Sequence, residues 1–330
     1  MQKLFALMHA RNMEFIRDKG TLFWNLVFPI FLVFGFAFAF SGGDDALFKV
    51  GIIGGPENPD VFPGISSVDL VSYDETDLAL NKLRHHQIDM VVDYGEREYY
   101  VNEESSKGEV AETLFLAGGA PGFERRAVSG EPIRYVDWFV PGVIGMNMMF
   151  SCIFGVGWII VRYRKNGVLK RLKATPVRAV EFVSAQLISR LYIVLLTAAV
   201  VYTGSNFFLK FMMQGSYLNL LLVTAIATVC MISFGLVFAA RIKSEELANG
   251  LMNVALWPMM AFSGIFFSLE GTPLALQKIA RAFPLTHYVE ASRAIMLDGA
   301  TLGEIMPNLI VLVGLTALFL LVSSLTFKWE

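Results

Sequence analysis

Charged residues are scarce in this sequence. A water-soluble domain carries about a quarter of its residues as Asp, Glu, Lys and Arg, whereas 17% of these 330 residues are charged, 55% are hydrophobic and the mean hydropathy is +0.55. That shortage excludes an ordinary soluble enzyme and points to a chain embedded in a membrane. Cysteine is scarcer still: Cys152 and Cys230 each sit inside an apolar run, which excludes a disulfide framework and a cysteine-based metal site. Catalytic signatures are missing as well. There is no phosphate-cradling G-x-x-x-x-G-K-[ST], no H-E-x-x-H, no G-x-S-x-G and no pair of carboxylates within an apolar run, and Gly51, Gly54 and Gly55 do not form a dinucleotide fingerprint. His85 and His86 lack a nearby Cys or well-spaced carboxylate to complete a metal site, so they read as two solvated histidines.

What the sequence does have is six apolar stretches long enough to cross a hydrocarbon core of about 30 Å: Leu22 to Phe40, Trp138 to Val161, Phe182 to Gly204, Leu218 to Ala240, Leu247 to Phe267 and Met306 to Phe327. No small-residue cleavage pattern follows the first, which is therefore read as a retained span. An even number of spans puts both termini on one side. Lys3, Arg11, Arg17 and Lys19 precede the first span, seven basic residues lie between Arg162 and Arg178, Arg241 and Lys243 follow the fourth span and Lys328 follows the last. The positive-inside bias assigns all of them, and both termini, to the cytoplasm.

The net charge of -2 conceals a segregation, because Ser41 to Tyr135 holds 18 acidic against 8 basic residues, a local balance of -10. That block falls on the outer side. It reads as a small inserted α/β domain, with strands at Phe48 to Gly54, Ile88 to Tyr94 and Glu98 to Asn102, a helix from Asp74 to His86 opened by an Asp cap, and a helix from Glu109 to Leu116. Residues 1 to 21 mix apolar and basic positions at helical period and suit a helix lying in the membrane interface. Trp24, Tyr135, Trp138, Tyr163 and Trp329 fall near span ends, as aromatic anchors do. Pro29 and Pro258 lie inside spans, where each removes a backbone hydrogen bond. Arg190 is the one charged residue well inside a span; snorkelling or a longer interfacial helix accounts for it at least as well as a proton relay.

Residues 268 to 304 are too charged to span and too apolar for a simple loop. Pro284 divides them into two short amphipathic helices, Thr272 to Ala282 and Thr286 to Leu297, the pattern of a re-entrant hairpin entering from the outer face. Glu290 and Arg293, three residues apart, are placed to neutralise each other.

Two stretches carry a family resemblance. Gly167, Leu169, Arg171-Leu172, Ala174-Thr175-Pro176-Val177 and Glu181 resemble the G-x-L-x-R-L-x-A-T-P-V element that follows the second span of ABC-2 type transporter permeases. Ser263-Gly264-Ile-Phe-Phe-Ser, Gln277-Lys-Ile-Ala280, Pro284-Leu-Thr-His287-Tyr-Val-Glu290-Ala-Ser-Arg293 and Gly299 resemble a second pattern of that family, S-G-x-x-F, Q-x-I-A and P-L-T-H-x-V-E-A-x-R. The resemblance covers the whole chain. It implies an α-helical membrane protein of six transmembrane helices with an inserted extracytoplasmic α/β domain and a re-entrant helical hairpin before the last span, in a bacterial inner membrane. It also implies a second permease chain, identical or paralogous, and two copies of an ATP-binding subunit that holds ATP and Mg. No cofactor is then expected on this chain and nucleic acid is not a partner, while a periplasmic adaptor remains open. Residues 162 to 181 would be the coupling loop: Val168, Leu169 and Leu172 form an apolar face for a cleft on the ATPase, bracketed by Gly167 and Pro176, and Lys170, Arg171 and Lys173 stay wetted. Pro284, His287, Glu290 and Arg293 would be the re-entrant or gating residues. One departure stands out, since many relatives carry acidic residues around the loop's glycine whereas this chain has Arg162, Arg164, Lys165 and Lys170. These charges either match an acidic patch on the cognate ATPase or simply obey the positive-inside bias. The implied function is export of a hydrophobic or amphipathic, drug-like or lipid-like substrate; the alternatives are a mechanical or signalling subunit driven by an ATPase, or a secondary transporter.

Overall fold

The computed structural model describes residues 2–39, 48–55, 68–73, 75–118, 122–130, 132–242, 244–266, 269 and 273–326. In chain order the elements are α1 (Gln2–Arg17), α2 (Lys19–Phe38), β1 (Phe48–Ile53), β2 (Val68–Tyr73), α3 (Thr76–Arg84), β3 (Met90–Asp93), β4 (Glu98–Asn102), α4 (Ser106–Ala117), β5 (Glu124–Val128), α5 (Tyr135–Lys165), α6 (Val168–Lys173), α7 (Ala179–Leu209), α8 (Tyr217–Ala239), α9 (Glu245–Phe262), α10 (Leu274–Ala280), α11 (Pro284–Asp298) and α12 (Met306–Thr326). They form two compact units, one of Phe40–Tyr135 and one of Met1–Ala39 with Val136–Glu330.

The smaller unit is a five-stranded sheet of order β2-β1-β3-β4-β5. β1 runs parallel to β2 and β3, β3 pairs antiparallel with β4, and β4 runs parallel to β5 with Glu98 opposite Glu124. Alternation along β3 explains its two-sided burial. Met90 and Val92 join Val50, Tyr99 and Val101 beneath Ala111 and Phe115 of α4, while Val91 joins Ile53 and Ile88 beneath Ala79 and Leu83 of α3.

Strands β2 and β5 were not expected. β5 reads Glu-Arg-Arg-Ala-Val and is mostly exposed, so it carries no apolar alternation; it is held by its ladder with β4 and by Arg126 to Glu98 at 2.7 Å and Arg125 to Glu112 at 2.9 Å. Helix α4 starts earlier than expected because the Ser105 hydroxyl accepts the Gly108 N–H at 3.0 Å. The Asp74 cap lies outside the described residues, and Glu75 takes the N-cap position of α3 without a side-chain bond. The histidines correct the expectation of a solvated pair. His85 is buried, and His86, at φ 54°, reaches the Gly130 carbonyl at 2.7 Å through Nε2. Among the described residues no three His, Cys, Asp or Glu side chains group as a metal site.

In the larger unit, five helices among the described residues, α2, α5, α7, α8 and α12, are long and apolar enough to cross a membrane. The remaining expected span, 247 to 267, falls on α9. That helix has 18 residues, opens on Glu245 and Glu246 and includes Asn249 and Asn253, so it is shorter and more polar than the other five. Pro284 occupies the first turn of α11, where its missing N–H costs nothing. Pro29 follows a π-helical stretch, Phe23–Val27. Because proline cannot donate to the carbonyl four residues back, the Asn25 oxygen is free for a side chain, and Asn147 of α5 fills it at 2.9 Å.

Candidate functional site

The basic segment after α5 is shaped by its glycine. Gly167 has φ 68°, a left-handed conformation that glycine adopts without the steric penalty of a Cβ, and it turns the chain sharply from the end of α5 into α6. The Thr175 hydroxyl donates to the Leu172 carbonyl at 2.6 Å and closes α6, and the Glu181 carboxylate accepts the Arg178 N–H at 2.8 Å and opens α7. Between these closures Lys170, Arg171, Lys173, Ala174, Thr175 and Pro176 are exposed, while Val168 and Leu172 are half-buried.

Leu169 departs from the expected arrangement. It is 0% exposed, folded into the chain's own interior, and is therefore not part of a free apolar face with Val168 and Leu172. The basic residues divide in a similar way. Arg164 donates to the carbonyls of Ala239 at 2.8 Å, Ile242 at 2.6 Å and Ala240 at 3.3 Å, so its guanidinium caps the C-terminal end of α8. Lys165 lies 3.6 Å from Glu245 and 3.5 Å from Glu246 at the start of α9. Arg164 and Lys165 thus grip the α8–α9 turn, and Arg162, the three basic residues of α6 and Arg178 are exposed.

A second cluster surrounds the π-helical stretch of α5, Ile153–Trp158. A π turn breaks the regular i to i−4 ladder, and here two arginines take carbonyls from that region. Arg11 of α1, 6% exposed, donates to Gly155 O at 2.6 Å and to Glu14 at 2.6 Å, and Glu14 also accepts from the Tyr163 hydroxyl. Arg190 of α7, 5% exposed, donates to the Ser151 carbonyl and to Ser151 Oγ at 2.6 Å, and lies over the Phe15 ring at 5.6 Å. A Cβ on Gly155 would lie 2.1 Å from Arg190 Cζ, so only glycine leaves room for the guanidinium. Arg190 therefore does not snorkel but fastens α7 to α5. Ser189 bonds Asn12 beside it. The sequence placed Arg11 on a cytoplasmic helix lying in the membrane interface and did not show its burial; the signal that pointed to a partner is the i, i+3 pair with Glu14.

The third cluster is α11. His287 connects it to Asn308 of α12 at 3.0 Å through Nδ1 and to the Arg281 carbonyl at 2.9 Å through Nε2. Arg293 does not turn to Glu290, which is exposed. It donates to the Trp138 carbonyl at 2.9 Å and to the Ile265 carbonyl at 3.4 Å, with its guanidinium 3.5 Å from the Trp138 ring centroid. Asp137, 1% exposed, accepts the Met212 N–H at 3.0 Å, and Gln214 N–H donates to Met296 O at 3.0 Å, so the α7–α8 connection is bound to the same knot. The sequence-derived residues accordingly fall into two separate groups. Gly167 to Glu181 belong to the basic segment, and Pro284, His287, Glu290 and Arg293 belong to α11.

A multi-pass helical membrane protein with no enzymatic constellation in its sequence is the class these features define. Residues 100–297 match the ABC-2 type transporter family, and the chain belongs to that family. It is similar to the inner membrane transport permease YhhJ of Escherichia coli (strain K12), 24% identical over 194 residues, 58% of this chain and 52% of that protein. It is also similar to the probable multidrug ABC transporter permease YbhR of the same strain, 22% identical over 181 residues, 54% and 49%. A third relative is the daunorubicin resistance ABC transporter permease protein DrrB1 of Streptomyces coeruleorubidus, 27% identical over 191 residues, 56% and 66%. The chain spans about half the length of the two E. coli relatives.

Proposed function

We propose that this chain is the membrane half of an ATP-driven exporter in a bacterial inner membrane. It pairs with a second permease chain and docks one ATP-binding subunit per chain, which holds the ATP and Mg. In this reading α9 is a further crossing, making six, both termini and the basic segment face the cytoplasm, and the α/β unit and the α10–α11 hairpin face outward. The substrate class is hydrophobic or amphipathic, in keeping with the multidrug and daunorubicin resistance relatives. The observation that carries the reading is the division of charge in the basic segment. Arg164 and Lys165 tie α5 to the α8–α9 turn, while α6, hinged at Gly167, presents Lys170, Arg171 and Lys173 to a partner of opposite charge. A push on α6 is then delivered to three membrane helices at once.

The test is reconstitution with the cognate ATP-binding subunit. Leu172→Asp should lower transport-coupled ATPase activity at least tenfold at any salt while the chain unfolds normally on heating. Leu169→Asp should instead lower the melting temperature of the isolated chain, because it buries a carboxylate in an apolar site. A Leu172→Asp complex with full coupled activity would overturn the assignment of α6 as the docking element.

A further inference from the structure

The elbow between α1 and α2 collects positive charge that the fold does not answer. Glu14, near the end of α1, accepts from Arg11 at 2.6 Å and from the Tyr163 hydroxyl, which brings the ends of α1 and α5 together. Asp18, one turn further on, donates its N–H to the Glu14 carbonyl at 3.2 Å and gives both carboxylate oxygens to Thr21, one to the N–H at 3.1 Å and one to the hydroxyl at 2.6 Å. Both acids are thus committed. The cations beside them are not. Arg17, Lys19 and Arg162 are exposed, and among the described residues their side chains make no hydrogen bond or ion pair. The Arg162 guanidinium lies over the Trp158 ring at 5.4 Å, and its charge adds to the bonds from Thr21, hydroxyl first, that hold the Asp18 carboxyl below its usual range. A ring fixes a guanidinium but offers no oxygen to its five N–H donors.

We infer that this elbow binds the phosphate of one anionic phospholipid, with Arg162 as the principal contact and Arg17 and Lys19 beside it, while the acyl chains lie along the exposed side of α2. Charge and surface select this occupant together. Beyond the elbow the surface turns apolar: Phe23 and Trp24 are 50% and 59% exposed, the Trp24 ring rests against Phe28 at 4.9 Å, and Val27 and Phe31 continue the exposed side of α2. Trp24 lies five residues after Lys19, about 8 Å along the axis, so cations, aromatic rings and aliphatic surface follow one another in the order of headgroup, interface and acyl chains. A free phosphate ester answers the cations but leaves Trp24 and Phe31 uncovered. A zwitterionic lipid covers them but brings a cation of its own to the elbow. A guanidinium takes two phosphate oxygens side by side, and each basic side chain at a bilayer surface strengthens attachment to anionic lipid about fivefold. The inference requires only that α2 lie in a membrane; it does not depend on export or on an ATP-binding partner.

The experiment is native mass spectrometry of the purified, delipidated full chain titrated with three probes. These are dioleoylphosphatidylglycerol, dioleoylphosphatidylcholine, which keeps the chains, and glycerophosphoglycerol, which keeps the charged headgroup without chains. The wild type should hold one phosphatidylglycerol at least about tenfold more tightly than either other probe, with the preference over phosphatidylcholine shrinking as salt is raised. Arg162→Gln should weaken phosphatidylglycerol about fivefold and leave phosphatidylcholine unchanged, which also reports that the variant is folded. Adding Arg17→Gln and Lys19→Gln should bring the two lipids level. Arg241→Gln, which removes an exposed cation just after α8, should change neither. Equal retention of both lipids by the wild type overturns the assigned headgroup, and this comparison needs no variant. A loss in Arg241→Gln equal to that in Arg162→Gln overturns the elbow as the site. Glycerophosphoglycerol held as tightly as the whole lipid overturns the bilayer as its source, and dimers that retain no lipid overturn the assigned occupant in favour of a second copy on α2.

Discussion

Arginine is used in opposite ways by the two units. In the α/β unit Arg125 and Arg126 are about half exposed and pair with Glu112 and Glu98 across neighbouring elements. In the helical unit Arg11, Arg164, Arg190 and Arg293 turn to backbone carbonyls, and two of the four are almost fully buried. The difference follows from solvent. Water satisfies a surface guanidinium whether or not its carboxylate is present, so exposed pairs contribute little. In a low-dielectric interior an unmet donor is costly, and a carbonyl dipole can meet it without the desolvation cost of a second buried ion. Buried arginines therefore act as fasteners between helices, and they concentrate where the helical ladder leaves carbonyls available, at the π stretch of α5 and at the end of α8.

The contrast makes predictions of descending size. Arg190→Leu should destabilise the helical unit by about 3 kcal/mol, by stranding the Ser151 carbonyl and hydroxyl, seen as a loss of folded yield and a lower melting temperature in detergent. Arg190→Lys should fall between, because an ammonium lacks the guanidinium fork. Gly155→Ala should cost about 2 kcal/mol by overpacking, and much of that cost should vanish in the Arg190→Leu background. Additive losses in this double-mutant cycle would mean that the two positions do not share the contact described. Arg164→Ala should cost about 1–2 kcal/mol and speed amide exchange at residues 239 to 242, while Lys165→Ala leaves exchange there unchanged. At the small end, Arg126→Ala should leave the melting temperature within error near neutral pH. Glu98 lies below the usual glutamate range, first through its bond from Arg126 and then through that from Tyr100. Its contribution is in place above the ordinary glutamate pKa of about 4.3 and is lost as pH falls through the lowered one, so any effect of Arg126→Ala should disappear in acid.

Most of the architecture was legible because hydropathy reports length and depth directly. The long apolar helices, the division at Pro284 and the strand at Glu98 to Asn102 all appear near their expected bounds. What was illegible depends on azimuth and on long-range pairing. Arg190 was visibly deep in a span, but its sequence position does not say whether it faces lipid or a carbonyl on α5. Leu169 and Leu172 sit on one short helix, yet only one is buried, because Gly167 sets the angle at which α6 folds back. β5 escaped because its pairing with β4, not its composition, makes it a strand. The α/β unit had a further obstacle: His85 and His86 look polar in sequence, but His85 is buried and accepts the Ile133 N–H on its backbone carbonyl, while the His86 ring bonds the Gly130 carbonyl.

The π stretch in α5 also has a rotary meaning. A π turn accommodates about one residue more than an α turn, and one residue corresponds to about 100° of rotation around the helix axis. Residues 159 to 165 therefore leave the helix at an azimuth set by Ile153–Trp158, and with them the direction in which Arg164 reaches α8 and Gly167 launches α6. Removing one residue between 153 and 158 would therefore restore a plain α-helix and leave the basic segment facing nearly the same side, whereas removing one residue from the regular α turns on either side would swing that segment by about 100°.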